Sequence, residues 1–591
     1  MNAGGTGGGG SAETLIRAIR EGVIGDGAAL DGPFGVRRLV YADYTASGRA
    51  LTFVEDVIRD RVLPLYGNTH TEASATGRQT TALREQARAV IHRSVGGSAR
   101  DAVLFCGSGS TAAVDKLVRI LGLGTGRRQP ARHRPVVFVG PYEHHSNELP
   151  WRESAADVVV IGETADGQVD LAHLEAELRH HARRPLRIGS FSAASNVTGI
   201  LADVDRVSTL LHRYGALACW DYAAGGPYLP IEMNPASGAG KDAVFLSPHK
   251  FVGGPGTPGV LVVKRDLLRG PVPTVPGGGT IVFVSPSRQS YHPDAEVREE
   301  GGTPAIVESI RAGLVFALKD AVGAAEIHRR EAGFARRATT ALRAQPTIRL
   351  LGHPDPDRLA ILSFGIWHRR GMLHGSFVVA VLNDLFGIQA RSGCFCAGPY
   401  VHRAFPISDD WSRRMEAQAL AGELGAKLSF SRIGFPYFTS EAVFGYVIAA
   451  VGFLAVHGWK LLPLYRFDPV SGNWEHRDRP AAATMCLRDM VFGATDRSAA
   501  AAQLPERVLP GYLQQAHRLV AALTDRPPPG RLDDPPLSAD FERIRWFPLP
   551  AEALAVLRAG AGQPGHGEGP GPTRDLARLS PAAPPRSALE R

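Results

Sequence analysis

Ser247-Pro248-His249-Lys250, continued by Phe251-Val252-Gly253-Gly254-Pro255-Gly256, holds the residue best suited to covalent chemistry. It follows an apolar run, residues 243–246, that reads as a strand end, and it opens a loop too rich in glycine for helix or sheet. A lysine hemmed by small residues and a histidine can be desolvated there. Desolvation lowers an amine's pKa and makes it nucleophilic, which is what Schiff-base chemistry requires. Taken alone, the same lysine also fits a solvated loop tip.

Other chemically selective residues follow apolar runs in the same way. After Val103-Leu104-Phe105 comes Gly107-Ser108-Gly109-Ser110-Thr111 and then a helical stretch, 112–121. Free N–H groups and two hydroxyls at a helix start suit a phosphate, although Ser110 or Thr111 could equally cap the helix. The run 135–139 leads to Glu143-His144-His145-Ser146-Asn147. Adjacent histidines point different ways, which argues against a shared metal and leaves one free to stack on an aromatic ligand. The run 187–191 leads to Ser195-Asn196-Val197-Thr198-Gly199, and the run ending at Trp220 delivers Asp221, which could hold a protonated ring nitrogen or cap a turn.

These residues need a scaffold that gathers strand ends. Short apolar runs at 135–139, 158–161, 187–191, 216–220, 244–246 and 260–263 are interleaved with amphipathic helical stretches at 171–183 and 204–214. That alternation predicts an α/β fold with a mostly parallel sheet covered on both faces, whose ligands bind beyond the carboxyl ends of the strands.

Composition bounds the classes of function. At 591 residues, 44% hydrophobic and 21% charged, the chain has the profile of a soluble protein large enough for several domains. The net charge of +8 is scattered, with no basic block interleaved with aromatics, so no nucleic-acid partner is expected. Cys106, Cys219, Cys394, Cys396 and Cys486 are too few and too uneven for a disulfide framework and suit a reducing compartment. The glycine-rich start lacks an apolar signal core, and the longest apolar stretch, 444–456, is shorter than the roughly 18–20 residues of a membrane span. A cytoplasmic location, no membrane contact and a buried helix at 444–456 are expected.

The order of these motifs resembles the class V aminotransferase family of pyridoxal-phosphate enzymes, from about Tyr41, in Tyr41-Ala42-Asp43-Tyr44, to about Val456. The resemblance implies fold type I: a large domain with a mostly parallel seven-stranded sheet sandwiched by helices, plus a smaller α+β domain. It implies pyridoxal 5'-phosphate as cofactor, with Ser110, Thr111, Ser247 and His249 at its phosphate, His144 stacked on its ring, Asn196 beside it, Asp221 at its nitrogen and Lys250 carrying it. Glu300-Gly301-Gly302-Thr303-Pro304 matches a segment whose threonine, Thr303 here, reaches the partner subunit's phosphate, implying a homodimer. One position departs: three residues after Asp221 the family usually has glutamine or histidine, and here stands Ala224. Water or a neighbour such as Tyr222 would fill the gap.

Within the family, Arg391-Ser392-Gly393-Cys394-Phe395-Cys396-Ala397-Gly398-Pro399 looks like the short reactive-cysteine loop of cysteine desulfurases, and its Gly-Cys-Phe-Cys is closer still to molybdenum cofactor sulfurases. Cys396 falls at the nucleophile's position, where Arg391 or His402 could lower the thiol pKa. A small buried cysteine in a turn is the alternative. Cys394 reads as structural, and two cysteines alone supply too few ligands for a zinc site, so no metal is expected. The segment 429–439 resembles the one whose arginine, Arg432 here, clamps the substrate α-carboxylate. The implied activity is desulfuration of L-cysteine to L-alanine with a persulfide on Cys396, passed on to a sulfur-acceptor protein. A lyase, epimerase or aminotransferase without the thiol step, and a non-catalytic cofactor-binding scaffold, are the alternatives.

The expected organisation is a flexible glycine-rich segment (1–35), a cofactor-binding large domain (36–310), a small domain with the cysteine loop (311–456), an appendage without assigned role (457–559) and a disordered tail (560–591) rich in Gly, Pro and Ala.

Overall fold

The computed structural model describes residues 8–124, 130–353, 356–368, 371–405, 407–478 and 502–560. Its central sheet has seven strands: β1 (Asp101–Cys106), β2 (Val136–Val139), β3 (Asp157–Val160), β4 (Arg187–Ser192), β5 (Leu217–Asp221), β6 (Ala243–Leu246) and β7 (Gly259–Lys264). They lie in the order β1-β7-β6-β5-β4-β2-β3. Strands β2 to β6 pair in parallel, while β7 is antiparallel to both β1 and β6. The mostly parallel seven-stranded sheet is as expected, and the reversal of β7 has a simple cause. Residues 247–258 contain only the 3-10 turn Pro248–Lys250, so no crossover helix can carry the chain back for parallel pairing. Strands β2, β6 and most of β7 are buried on both faces, which explains their unbroken apolar runs.

Strand β1 ends the sheet, and carboxylates close its free edge. The Val103 N–H donates to Glu296 Oε1 (2.9 Å) and the Phe105 N–H to Glu300 Oε1 (2.6 Å). The Glu300 side chain is only 6% exposed and also accepts from Arg84 and Arg88, so each charge in the cluster has a partner.

After an exposed hairpin, β8 (Ile281–Val284) and β9 (Gln289–Tyr291), the chain builds a second, antiparallel sheet. Its strands are β10 (Ile348–Leu350), β11 (Ile361–His368), β12 (Arg391–Gly393) and β13 (Phe430–Gly434), in the order β10-β11-β13-β12. Helices Ala324–Arg343, Gly375–Phe386 and Glu441–His457 pack with it. This sheet is tied to the N-terminal segment by the Gly434 N–H to the Ala42 carbonyl (2.8 Å) and to a loop of the large sheet by Ser363 Oγ to the Val197 carbonyl (2.5 Å).

The structure corrects the reading of the N-terminal segment. Residues Gly8–Gly22 form a helix, with Ile16 and Ile19 fully buried and Arg20 Nε donating to the Phe438 carbonyl (2.6 Å). Beneath the glycine run, Leu15, Ile16, Ile19 and Val23 keep helical spacing, and tertiary packing on that stripe outweighs the local glycine content. The helix Glu441–His457 also continues into the 3-10 segment Gly458–Leu464. By length and composition that whole stretch could cross a membrane, yet half of its apolar window is buried within the protein. Beyond it, the hairpin Tyr465–Phe467 and Trp474–His476 and the helices Leu509–Asp525, Ala539–Ile544 and Pro550–Gly560 pack back on the preceding helices. The contact is aromatic: buried His374 stacks on Trp546 at 5.0 Å and meets Phe547 edge-on at 4.8 Å. Cys486 and residues 561–591 of the expected tail lie outside the described residues.

Candidate active site

A cavity of about 440 Å³ opens at the carboxyl ends of β1, β4, β5 and β6. Its first wall is the start of helix Gly109–Ile120. The N-cap is Ser108, and it makes no side-chain cap bond. Ser110 and Thr111 sit inside the first turn instead of capping it, and both face the cavity. The Ser110 N–H donates to Ser247 Oγ (2.8 Å), which draws the lysine loop against the helix start. Gly109 has φ +56°, and a Cβ there would come within 3.0 Å of Ser247 Oγ, so the residue must stay small for this cup to close.

The next wall presents ionisable groups. Asp221, the last residue of β5, is buried, and one of its oxygens accepts from the Ala223 N–H (2.8 Å). Burial raises its pKa, while the Ala223 bond and Lys250 oppose the rise. Lys250 ends the 3-10 turn Pro248–Lys250, and burial pulls its amine down to about 8 against the attraction of Asp221. Gly48 lets the chain pass close by: its N–H donates to the His249 carbonyl (2.9 Å), and a Cβ would strike the Phe251 carbonyl at 1.9 Å. His144 and His249 line the cavity as neutral rings, held near 3 and 4 by burial and by Lys250.

The third wall comes from the second sheet. Arg432, in the middle of β13, is buried. Its Nη1 donates to the Asn196 carbonyl (2.9 Å), its Nη2 to Asp43 Oδ1 (2.8 Å), and the Phe395 ring lies 4.9 Å from the guanidinium. Its Nε is buried and makes no hydrogen bond among the described residues. Exposed Arg391 approaches the other Asp43 oxygen at 3.8 Å. Cys396 is exposed on this wall. Phe395 and Cys396 both have φ +55°, a left-handed conformation costing on the order of 1–3 kcal/mol per non-glycine residue and kept only where neighbours enforce it.

One cavity thus gathers Ser110, Thr111, His144, Asn196, Asp221 and Ser247, and with them His249, Lys250, Arg391, Cys396 and Arg432. Thr303 stands apart: it is exposed, outside the cavity, and receives a long bond from Asn68 Nδ2 (3.5 Å). His402 is also outside, near Ser412 Oγ at 3.4 Å, whereas Arg391 shares the cavity with Cys396. Cys394 is partly buried against the core. At the departing position Ala224 lines the cavity, but Tyr222 is buried and does not. Ser192, the register partner of Asp221 on the adjacent strand, also lines the cavity. Ser192 Oγ donates to Glu143 (2.6 Å), a buried carboxyl raised by burial to about 7 that also accepts from Asn147 (2.7 Å). Sequence reading assigned no role to Ser192, Glu143 or Asp43. Ser192 was detectable, because it ends its strand just as Asp221 ends the next.

The family model for class-V aminotransferases matches residues 40–407. A probable cysteine desulfurase of Streptomyces coelicolor is 27% identical over 369 residues, covering 61% of this chain and 84% of the relative. A second, from Mycobacterium leprae, is 29% identical over 381 residues, covering 63% and 86%. Among solved structures, an apo cysteine desulfurase from Thermococcus onnurineus superposes with a TM-score of 0.58 at 21% identity, covering 71% of this chain and 95% of that one. A cysteine desulfurase from Escherichia coli gives 0.54 at 23%, covering 70% and 94%.

Proposed function

Since the chain belongs to the class-V aminotransferase family, we propose that it is a pyridoxal-phosphate enzyme that takes sulfur from L-cysteine, leaving L-alanine and a persulfide on Cys396. The observation that carries this reading is that Cys396, Lys250 and Arg432, far apart in sequence, line one cavity. The curated relatives bearing the name cysteine desulfurase support it.

The residues fit the cofactor. The small cup at Gly109, with Ser110, Thr111, Ser247 and His249 around it, suits a phosphate at a helix N-terminus. Asp221, at a strand's carboxyl end, would face a ring nitrogen, neutral His144 would cover the ring, and Lys250 would hold its carbonyl carbon. The bound group would supply an electron sink next to the substrate's Cα.

The protein's own groups do the remainder. Arg432 has an unused Nε–H and further N–H donors for a carboxylate, and the two-pronged contact orients the substrate. The Lys250 amine, near neutrality at about 8, moves protons on and off carbon. The Cys396 thiolate attacks the substrate sulfur: the S–S bond forms as the Cβ–S bond breaks, the electron pair stays with carbon, and carbon takes a proton to become alanine. Arg391 and Arg432 line the same cavity as the Cys396 sulfur.

The holoprotein incubated with L-cysteine and a reductant should yield alanine and sulfide in equal amounts. Cys396→Ser should keep the visible absorbance of bound cofactor and lose both products. Normal absorbance with no alanine from the unaltered protein would overturn the reading, and full turnover of another amino acid by Cys396→Ser would favour a lyase, epimerase or aminotransferase.

Dimerisation is part of this proposal. Thr303 is exposed outside its own chain's cavity, and the hairpin exposes Val282 (63%), Phe283 (57%) and Val284 (59%), an apolar strip that a second copy would cover. Light scattering should give twice the chain mass; a monomer at micromolar concentration would refute it.

A further inference from the structure

The two adjacent histidines face different tasks. His144 lines the cavity, whereas His145, beside it, does not. We infer that His145 is a positioning residue for the thiol step, holding the Cys396 turn through its ring nitrogen. This inference rests on the desulfuration reading above.

The turn at Phe395 and Cys396 is left-handed at two successive non-glycine residues, so it persists only if its surroundings hold it. Three bonds from outside the turn do so. Asn196 Nδ2 donates to the Phe395 carbonyl (2.7 Å), the His145 backbone N–H donates to the Cys396 carbonyl (2.7 Å), and the Gly398 N–H donates to His145 Nε2 (3.1 Å). Two of the three therefore belong to His145, both just C-terminal to the Cys396 Cα, while the Asn196 bond lies on its N-terminal side.

The ring bond also fills a gap in the helix Gly398–Ala404. Its N-cap, Ala397, has no side chain able to accept a first-turn N–H, and the imidazole of His145 takes that place. For Nε2 to accept, the ring must be neutral with its proton on Nδ1. Burial lowers the ring's affinity for a second proton, Arg152 and Lys427 act in the same sense, and Glu148 opposes them. The strand-end loop after β2 thereby places a cofactor-facing ring and a cysteine-holding ring on neighbouring residues, tying the thiol's position to the cofactor wall.

The test compares His145→Ala with His145→Gln, whose amide oxygen can still accept from Gly398. Three quantities are followed: deuterium exchange in the peptide spanning residues 393–401, the cofactor's absorbance, and kcat and KM for alanine release from L-cysteine. His145→Ala should exchange about tenfold faster in that peptide and lose about tenfold or more in kcat, with KM within about twofold and absorbance unchanged. His145→Gln should recover both exchange protection and kcat. Unchanged exchange or unchanged kcat in His145→Ala overturns the proposal, and so does a His145→Gln no better than His145→Ala. Should the alanine variant fail to fold, His145→Asn, too short to reach Gly398, replaces it under the same criteria. If the unaltered protein releases no alanine, the desulfuration reading fails, while exchange at residues 393–401 still decides whether the ring holds the turn.

Discussion

Arg432 is a buried guanidinium whose donors are only partly used, and that partial use defines its chemistry. Asp43 and the Asn196 carbonyl fix two corners of the fork, Phe395 covers one face, and Nε is left for an incoming acceptor. A lysine could reach Asp43 but could not present two parallel N–H groups to a carboxylate at the same time. Arg432→Lys is expected to lower kcat/KM for L-cysteine about 10- to 100-fold, the weight of one charge-assisted hydrogen bond, while cofactor absorbance stays normal. Steady-state kinetics with parallel spectra check this, and an unchanged kcat/KM would remove Arg432 from the carboxylate site. Arg432 was legible from its motif, but its partner was not. Asp43 lies 389 positions away, and no local pattern links a carboxylate near the N-terminus to an arginine on a strand of the second sheet.

At the scale of elements, the edge of β1 shows how the sheet is closed and how the Thr303 segment is held. Glu300 satisfies a strand N–H and two buried arginines, and Glu296 satisfies a second strand N–H. Glu300→Ala would leave Arg84 and Arg88 buried without their partner and the Phe105 N–H without an acceptor. The expected cost is about 3–5 kcal/mol, read as a lower urea midpoint. A shift below about 1 kcal/mol would mean that water reaches the cluster and replaces the carboxylate. The strands themselves were legible, because unbroken apolar runs mark strands buried on both faces. The direction of β7 was hidden, because an apolar run has no polarity and only the short connection 247–258 decides it. The N-terminal helix was hidden for the opposite reason: its glycines spoke locally for disorder, and the buried stripe of Ile16 and Ile19 acts only against a partner surface.

For the molecule as a whole, buried carboxyls set how stability responds to pH. Burial raises Glu143 to about 7 and Glu331 to about 8, the latter despite bonds from the Ala360 and Tyr437 backbone. The folded chain therefore holds protons there that the unfolded chain has released, and this contribution is lost as pH rises through those values. Groups lowered by burial oppose this. His144, His249 and His374, held near 3 to 4, are neutral in the folded chain where the unfolded chain still charges them. Lys250 and Lys319, held near 8, release protons on folding as pH approaches that value. The Glu331 contribution is isolated by substitution: Glu331→Gln should gain stability relative to the unaltered cofactor-free protein as pH rises from about 5 to 8. Urea midpoints of both proteins measured across that range check it; a difference that does not change with pH would contradict it.

The sequence by itself determined the fold class, the family and about half of the residues of the cavity wall, because strand-end motifs are local and their order is read directly along the chain. Lys250, Asp221, His144 and Cys396 needed no coordinates to be found. Tertiary structure alone decided what acts between them: the Asp43–Arg432 pair, the Ser192–Glu143–Asn147 network beside Asp221, and the bonds of His145 to the cysteine turn. Each joins residues that are unremarkable in their own segments and meet only when the strand ends converge. Hydrogen bonds and ion pairs act over a few ångströms of space, and separation along the chain carries no record of which residues will share it.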